Sequence, residues 1–328
     1  YDLLRLSSYT VNFGVYNNNG TTNTSADDFI EETSESANLV KQEGYQENPI
    51  FINKVIETGG KKIGYLMFNG FTGSSQELNN VFATFNSEGI DDLVVDLRYN
   101  PGGFVSKAIL LSSLITGQFT GQTHNTEEWN NEFQTFLEED DPELLINRFI
   151  DNENGLALNS LNLDRVFILA TRSSASASEL VINSLEPYIN VVHIGTNTSG
   201  KYQASITVYD SEDFGRDGAN PTHTYAMQPL VYKSININGG TDYFNGLTPD
   251  IVLGEQFTNM GILGDMNEPL LAEAISQIIT TGKSSNGKSN NSNFLDVDAD
   301  SNDFIPFRKG MYSDKKIPKV LVNKLVFE

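Results

Sequence analysis

The chain has 328 residues, 43 of them acidic and 21 basic, so its formal net charge is −22. This excess of negative charge repels phosphate groups, which argues against nucleic acid and anionic lipid surfaces as partners. The absence of cysteine excludes disulfides, thiolate metal sites and cysteine nucleophiles. A hydrophobic content of 38% is typical of a folded globular protein, and the length predicts about two domains.

The N-terminal region gives no sign of a targeting peptide or of a membrane span. Because the first residue is Tyr1, we expect the chain to begin part-way through a longer precursor. Residues 8–16 alternate like a strand. Residues 17–48 are rich in Asn, Thr, Ser, Asp and Glu, which predicts a loop or linker with at most one short edge strand.

From Phe51 onwards, buried strands alternate with amphipathic helices. The predicted strands include residues 62–68, 92–98, 165–170 and 189–194. The predicted helices begin after Ser74 or Ser75 and end before Gly89, cover residues 105–115, run from about Ser176 to before Pro187, and cover 269–279 after an Asn267 cap. This alternation predicts an α/β domain whose sheet is at least partly parallel.

The turn after the strand at 165–170 consists mainly of small residues, with Ser-Ala-Ser-Ala-Ser-Glu at 174–179. A serine at the start of a helix lies beside backbone N–H groups that can receive a developing oxyanion, so a nucleophile fits this position. An ordinary helix N-cap fits the same residues, because serine caps helices routinely. The pattern alone favours the N-cap.

A serine nucleophile needs a base, and Lys201 stands on the loop after the next predicted strand. The predicted helix after Ser176 leads away from the turn, and the strand at 189–194 leads back, so the loop that follows it would lie near Ser176. A surface lysine is the simpler interpretation. A second turn, Arg-Tyr-Asn-Pro-Gly-Gly at 98–103, offers further N–H groups for an oxyanion. Its composition is also that of any tight turn.

Three motifs together resemble the C-terminal processing peptidases, a serine–lysine family that includes the tail-specific proteases and, more distantly, tricorn. They are Asp-Leu-Arg-Tyr-Asn-Pro-Gly-Gly at 96–103, the serine motif at 174–179, and Thr-Ser-Gly-Lys at 198–201. The resemblance extends to residues 62–71 and 245–250.

This resemblance implies that Ser176 is the nucleophile and Lys201 the general base, 25 residues further along as in the family. The oxyanion hole would consist of the backbone N–H of Ala177 and that of Gly102 or Gly103. The implied activity is endopeptidase or C-terminal tail cleavage of protein or peptide substrates through an acyl-enzyme, without a metal or another cofactor.

The third catalytic residue stays open. Many relatives carry a Gln four residues after the Lys, where this chain has Ser205. Others carry an Asp eleven residues after the nucleophile, where it has Pro187. The neighbouring Gln203 and Glu186 are the two candidates.

For the fold, the resemblance implies a crotonase/ClpP-like core of stacked strand-strand-helix units over residues 51–282. Residues 1–50 would hold the end of a PDZ domain and a linker, and residues 283–328 a polar linker and C-terminal tail. The motifs look most like those of envelope proteins from Bacteroidetes-type bacteria. We therefore expect a periplasmic protein, or an outer-membrane lipoprotein in the precursor, and have no expectation for its oligomeric state.

Two rival functions stay open: a catalytically silent peptide- or ligand-binding module on the same fold, and a crotonase-type acyl-thioester enzyme. Neither requires the pair of Ser176 and Lys201. If Lys201 is a base, its pKa must be lowered, so we expect it to be largely buried and within hydrogen-bond reach of Ser176 Oγ.

Other polar residues favour structural or solvent-exposed roles. We expect His193 to be structural, and His124 and His223 to be solvated in loops. The acidic run Asp296–Asp303 resembles a calcium loop but lacks the Gly and Glu of that pattern.

Overall fold

The computed structural model describes residues 6–21, 26–45, 47–256, 259–280 and 310–327. It divides the chain into two compact units. One unit comprises Tyr1–Asn48 and Gln256–Met260, and the other Pro49–Glu255 and Gly261–Glu328. The calcium-like run Asp296–Asp303 lies outside the described residues.

The secondary structure of the described residues is numbered here in chain order. The strands are β1 Ser8–Asn17, β2 Phe29–Val40, β3 Ile50–Thr58, β4 Lys61–Phe68, β5 Asp92–Asp96, β6 Gly103–Phe104, β7 Thr123–Trp129, β8 Ile146–Arg148, β9 Asn152–Glu153, β10 Leu156–Ala157, β11 Arg165–Ala170, β12 Asn190–Gly195, β13 Gln203–Ser205, β14 Val208–Tyr209, β15 Ala226–Met227, β16 Leu230–Ile235, β17 Ile251–Val252 and β18 Met311–Tyr312. The helices are α1 Ser75–Glu88, α2 Val105–Thr116, α3 Asn131–Asp140, α4 Ala177–Leu185, α5 Pro269–Ile279 and α6 Lys319–Phe327, with a 3₁₀ turn at Pro142–Leu145.

The smaller unit is an antiparallel hairpin of β1 and β2. Strand β1 confirms the sequence prediction, but the prediction of a loop with at most a short edge strand over residues 17–48 is wrong. Backbone pairing with β1 forms the twelve-residue strand β2, and that pairing is not visible in a polar composition. The predicted remnant of a PDZ domain is not confirmed.

The larger unit is built on a six-stranded sheet in the order β17-β12-β11-β5-β4-β3. All neighbours are parallel except the β3–β4 pair. Side chains from the two faces of this sheet enter two separate apolar clusters, one with α1, α2 and α4 and the other with α5. The predicted α/β fold with a partly parallel sheet is confirmed.

The helices begin and end close to their predicted positions. Helix α1 is capped by Ser74, whose side chain accepts from the Glu77 N–H, and it ends at Gly89 with φ 65°. Helix α5 is capped by Glu268 and not by Asn267, because the Glu268 carboxylate accepts the Leu271 N–H. Within the described ranges, no helix has the length and apolar character that crossing a bilayer requires.

A second six-stranded sheet has the order β6-β18-β13-β16-β7-β8, and its strand β18 comes from the C-terminal region. This strand lies parallel to both β6 and β13. Met311 and Leu321 are buried in the core of the larger unit. The described part of the region expected to be a separate tail over 283–328 is therefore integral to this unit, because its apolar side chains pack there.

The expectation of a solvated His124 is wrong. The ring is buried between Ser112 Oγ, 3.0 Å from Nε2, and Asn125 Oδ1, 2.8 Å from Nδ1. Burial lowers its pKa to about 4, so the imidazole is neutral and structural. His193 is buried, as expected.

Candidate active site

Ser176 lies in the turn between β11 and α4, at the N-cap position of the helix. Its backbone has φ 64° and ψ −110°, a conformation that residues with a Cβ rarely adopt. Such strain costs about 1–3 kcal/mol and persists where the surroundings impose it, commonly at functional sites. In other hydrolases a strained strand-to-helix turn presents the nucleophilic serine.

The three serines of the motif differ in what their hydroxyls do. Ser174 Oγ donates to the carbonyl of Leu97 at 2.7 Å, and Ser178 Oγ donates to the carbonyl of Asn100 at 2.9 Å. Ser176 Oγ is buried and has no hydrogen-bond partner among the described residues. Ser176 is the N-cap residue of a capping box in which Glu179 accepts its N–H, but of the three serine hydroxyls its own is the one left without a partner in the described residues.

A single buried carboxylate connects two loops: the one before α4 that carries Ser176, called the serine loop, and the one after β12 that carries Lys201, called the lysine loop. Glu179 Oε2 accepts from the N–H of Ser176 at 2.7 Å and from that of Lys201 at 2.8 Å. Its Oε1 accepts from Thr198 Oγ1 and from the Gly200 N–H, both at 2.6 Å. Because one oxygen accepts both bonds, the backbones of Ser176 and Lys201 lie side by side.

Burial raises the pKa of Glu179, and its four hydrogen bonds act against that rise. Sequence reasoning quoted this residue as the end of the serine motif and assigned it no role. The signal available was the interval from Ser176 to Glu179, the spacing of a capping box in which the glutamate accepts the N-cap N–H.

Lys201 is brought to the site through its backbone, while its side chain is only half-buried. Burial lowers the pKa of its ammonium group, and the charge of Glu179 raises it. The burial of Lys201 is intermediate, and the expectation of a largely buried side chain stays a prediction. The expected hydrogen bond to Ser176 is not formed, because Ser176 Oγ has no partner in the described part of the chain. The Glu179 bond fixes the main chain of Lys201 at the site.

The glycine turn lies directly beside the serine, as the sequence led us to expect. Gly102 and Gly103 have φ of 108° and 141°. A Cβ at Gly102 would lie 2.7 Å from Ser176 Cβ, so only glycine allows this approach.

Two of the three N–H groups predicted for the oxyanion hole already have acceptors. The Gly102 N–H donates to Asn100 Oδ1 at 2.9 Å, and the Gly103 N–H donates to the carbonyl of Gly310 at 2.9 Å. The Ala177 N–H belongs to the first residue of α4, where a helix offers it no internal acceptor.

The two candidates for a third catalytic residue are not brought into this cluster. Glu186 is exposed and follows the last residue of α4, about 15 Å from Ser176 at 1.5 Å per residue. Gln203 is exposed on β13, opposite Lys233 of β16. Ser205, at the position of the family glutamine, is buried and donates to the carbonyl of Met311 at 3.2 Å.

A buried cation stands at the start of the glycine turn. Arg98 is 0% exposed and donates to Asp96 and, through both Nη atoms, to Glu268 at 2.8 and 2.9 Å. Glu255 lies 3.2 Å from Nη1. Burial alone would lower the pKa of Arg98, but Asp96 and Glu268 raise it above its ordinary value. Sequence reasoning quoted this motif without assigning the arginine a role.

No cluster of three or more His, Asp or Glu side chains suited to holding a metal occurs among the described residues. The site therefore consists of a strained serine, a lysine with a lowered pKa, a connecting carboxylate and a glycine turn.

Comparison with known proteins gives relatives of one kind. Residues 62–253, more than half of the chain, match the profile of peptidase family S41. The chain is 26% identical over 197 residues to the tail-specific protease of Haemophilus influenzae, covering 60% of this chain and 25% of the relative. It is 26% identical over 215 residues to the carboxyl-terminal-processing protease of a Picosynechococcus species, covering 60% and 47%.

Among solved structures, a Bacteroides fragilis protein assigned to the S41 proteases matches with a TM-score of 0.65 and 25% identity. That match covers 84% of this chain and 67% of the other. The chain spans between a quarter and a half of the length of these two curated relatives. Its matched region contains the serine, lysine and glycine motifs, and the chain belongs to peptidase family S41.

Proposed function

We propose that this chain is a serine endopeptidase of the C-terminal processing type, with Ser176 as nucleophile and Lys201 as general base. The observation that carries the proposal is the unbonded hydroxyl of Ser176 on a strained turn, held beside Lys201 by the carboxylate of Glu179. The lowered pKa of Lys201 supports it, because only a neutral amine can accept the serine proton.

In the proposed reaction, Ser176 Oγ attacks the scissile carbonyl carbon while its proton moves to Lys201 Nζ. The tetrahedral intermediate then expels the amine, which takes that proton as the C–N bond breaks, and leaves an ester on Ser176. Water attacks the ester, Lys201 accepts a proton from the water and returns it to Ser176, and the peptide leaves as a carboxylic acid. The first step requires a hydrogen bond between Lys201 Nζ and Ser176 Oγ, which this structure does not contain.

The oxyanion would be stabilised by the Ala177 N–H and by the N–H of Gly102 or Gly103. Each glycine N–H has an internal acceptor, either Asn100 Oδ1 or the carbonyl of Gly310. A substrate carbonyl must therefore replace one of these bonds as it binds.

Protein or peptide chains are the proposed substrates, and the steps above use no metal or other cofactor. A bacterial envelope location stays a prediction from the motifs of the sequence.

The direct test compares cleavage of casein or a tail peptide, and labelling by a fluorophosphonate probe, in the wild type and two variants. Ser176→Ala should lower kcat by several orders of magnitude and abolish labelling, with little change in Tm. Ser184→Ala is the matched control, since Ser184 lies on the same helix and its buried Oγ likewise has no partner among the described residues. This control should keep both activity and labelling.

Two results would contradict the proposal. Full activity in Ser176→Ala, together with loss of activity in Ser178→Ala, would assign the nucleophile to Ser178 and not to Ser176. Peptide binding by the wild type without cleavage or labelling would favour the silent binding module.

A further inference from the structure

We infer that Asn100 is a positioning residue for the proposed peptidase reaction. It holds the glycine turn, residues 98–103, against the serine loop. The inference rests on the proposed function for its kinetic consequences. Asn100 is 0% exposed and stands in the glycine turn, two residues after Arg98 and two residues before Gly102.

Its side chain joins the end of β4 to the glycine turn, next to the main-chain bonds that Phe71 makes with Gly102 and Phe104. Asn100 Nδ2 donates to the carbonyl of Phe68, at the end of β4, at 2.7 Å. Oδ1 accepts the N–H of Gly102 at 2.9 Å. The glycine turn is thereby fastened to the central sheet through one amide group, whose donor and acceptor are both used.

The main-chain carbonyl of Asn100 connects the glycine turn to the serine loop. The carbonyl of Asn100 accepts from the Ala175 N–H at 3.1 Å and from Ser178 Oγ at 2.9 Å. These bonds flank Ser176 on both sides. Asn100 therefore contacts the serine loop on both sides of the nucleophile, in addition to the bonds from Thr171 and Ser174 to the residues before Asn100.

The approach between turn and nucleophile is close enough for small displacements to matter. A Cβ at Gly102 would lie 2.7 Å from Ser176 Cβ. A misplacement of about 1 Å can lower a rate about 10²-fold, and removal of one oxyanion donor typically lowers it by 10²–10³. Without its amide, the turn loses the bond to the Gly102 N–H and the bond to the Phe68 carbonyl, and it keeps only main-chain bonds such as that of the Phe71 N–H to the Gly102 carbonyl.

The chain contains a matched control for this amide. Asn79 on α1 is 1% exposed, and its Nδ2 donates to the carbonyl of Ala157 at 2.9 Å. Its Oδ1 accepts the N–H of Asn159 at 2.8 Å. Asn79 thus makes the same pair of backbone bonds at the same burial, but to a loop that carries none of the proposed catalytic groups.

The experiment compares Asn100→Ala with Asn79→Ala in the full chain. Both should lower Tm to a similar extent, since each loses two buried hydrogen bonds. Only Asn100→Ala should lower kcat, about 10²-fold with KM changed less than about twofold. Hydrogen exchange, which needs no activity, should be faster over residues 97–104 in Asn100→Ala and unchanged there in Asn79→Ala.

Asn100→Asp adds a pH readout that lost stability does not produce. A protonated carboxyl can donate to Phe68 and accept from Gly102 as the amide does, whereas the carboxylate cannot donate. The ratio of its kcat to that of the wild type should therefore fall as the pH rises.

Equal kcat in the two alanine variants would overturn the inference while leaving the proposed function intact. A higher kcat in Asn100→Ala would also overturn it, because Asn100 would then be a competitor of the substrate for the Gly102 N–H. A wild type that neither cleaves nor is labelled would remove the peptidase function, and with it any positioning role in that reaction.

Discussion

Two fully buried charges, Arg98 at the start of the glycine turn and Glu179 in the first turn of α4, are stabilised in different ways. Arg98 is surrounded by carboxylates, with ion pairs to Asp96, Glu268 and Glu255. Glu179 is held by four hydrogen bonds, three from backbone N–H groups and one from a hydroxyl.

The difference shows which parts of the structure each charge holds together. The partners of Arg98 are side chains from the end of β5, from the loop after β17 and from the N-cap of α5, so it fastens structural elements to one another. The partners of Glu179 are mainly the backbones of the serine and lysine loops. We therefore expect the loss of Arg98 to lower mainly the free energy of unfolding, and the loss of Glu179 to lower mainly kcat.

Arg98→Met should give the largest loss of stability. Removing the cation leaves buried carboxylates without a counter-charge, which typically lowers the free energy of unfolding by about 3–5 kcal/mol. Urea unfolding measures this change. The matched control is Arg148→Met, because Arg148 pairs with Glu143 at an exposed site and such pairs contribute about 0–1 kcal/mol. Similar losses in both variants would mean that the buried cluster does not act as described.

Glu179→Gln should have a smaller effect on stability and a larger one on catalysis. The amide oxygen can still accept two bonds, but the amide nitrogen would face N–H donors in place of an acceptor. We expect a loss of about 1–3 kcal/mol in the free energy of unfolding and a fall in kcat of about 10²-fold.

Glu186→Gln is the control for this change, since Glu186 adjoins the same helix at its other end and is exposed. It should change neither quantity measurably. A Glu179→Gln variant with wild-type kcat would show that the Glu179 bonds do not position the serine and lysine loops.

The sequence was sufficient for the parts of the molecule that depend on local pattern. The apolar spacing and caps of α1, the extent of α2, and the alternation of strands with helices are visible in the chain itself. The family resemblance carried by the motifs implied that the glycine turn and Ser176 would meet, and the structure shows them in contact.

What the sequence could not provide depends on pairing across long intervals. Strand β2 is formed by its hydrogen bonds to β1, and β18 by its position between β6 and β13. The acceptor of the Gly103 N–H is Gly310, more than 200 residues away. The capping-box spacing indicates the bond of Glu179 to the Ser176 N–H, but the bonds of Glu179 to Gly200 and Lys201 depend on where the lysine loop returns in space.

The smallest expected effect is a shift in the pH dependence of activity. Burial lowers the pKa of Lys201 from its usual value of about 10.4, and the Glu179 carboxylate acts in the opposite direction. Since the neutral amine is the base, kcat should rise as the pH increases through this lowered pKa.

Replacing Glu179 by Gln removes the charge that favours the ammonium form, so the pKa of Lys201 should fall further. The rising limb of the profile, measured on the residual activity of Glu179→Gln, should therefore lie at lower pH than in the wild type, while Glu186→Gln leaves it in place. A limb that moves to higher pH would show that the rising limb does not report the titration of Lys201 beside Glu179, and the assignment of Lys201 as the base would lose its support.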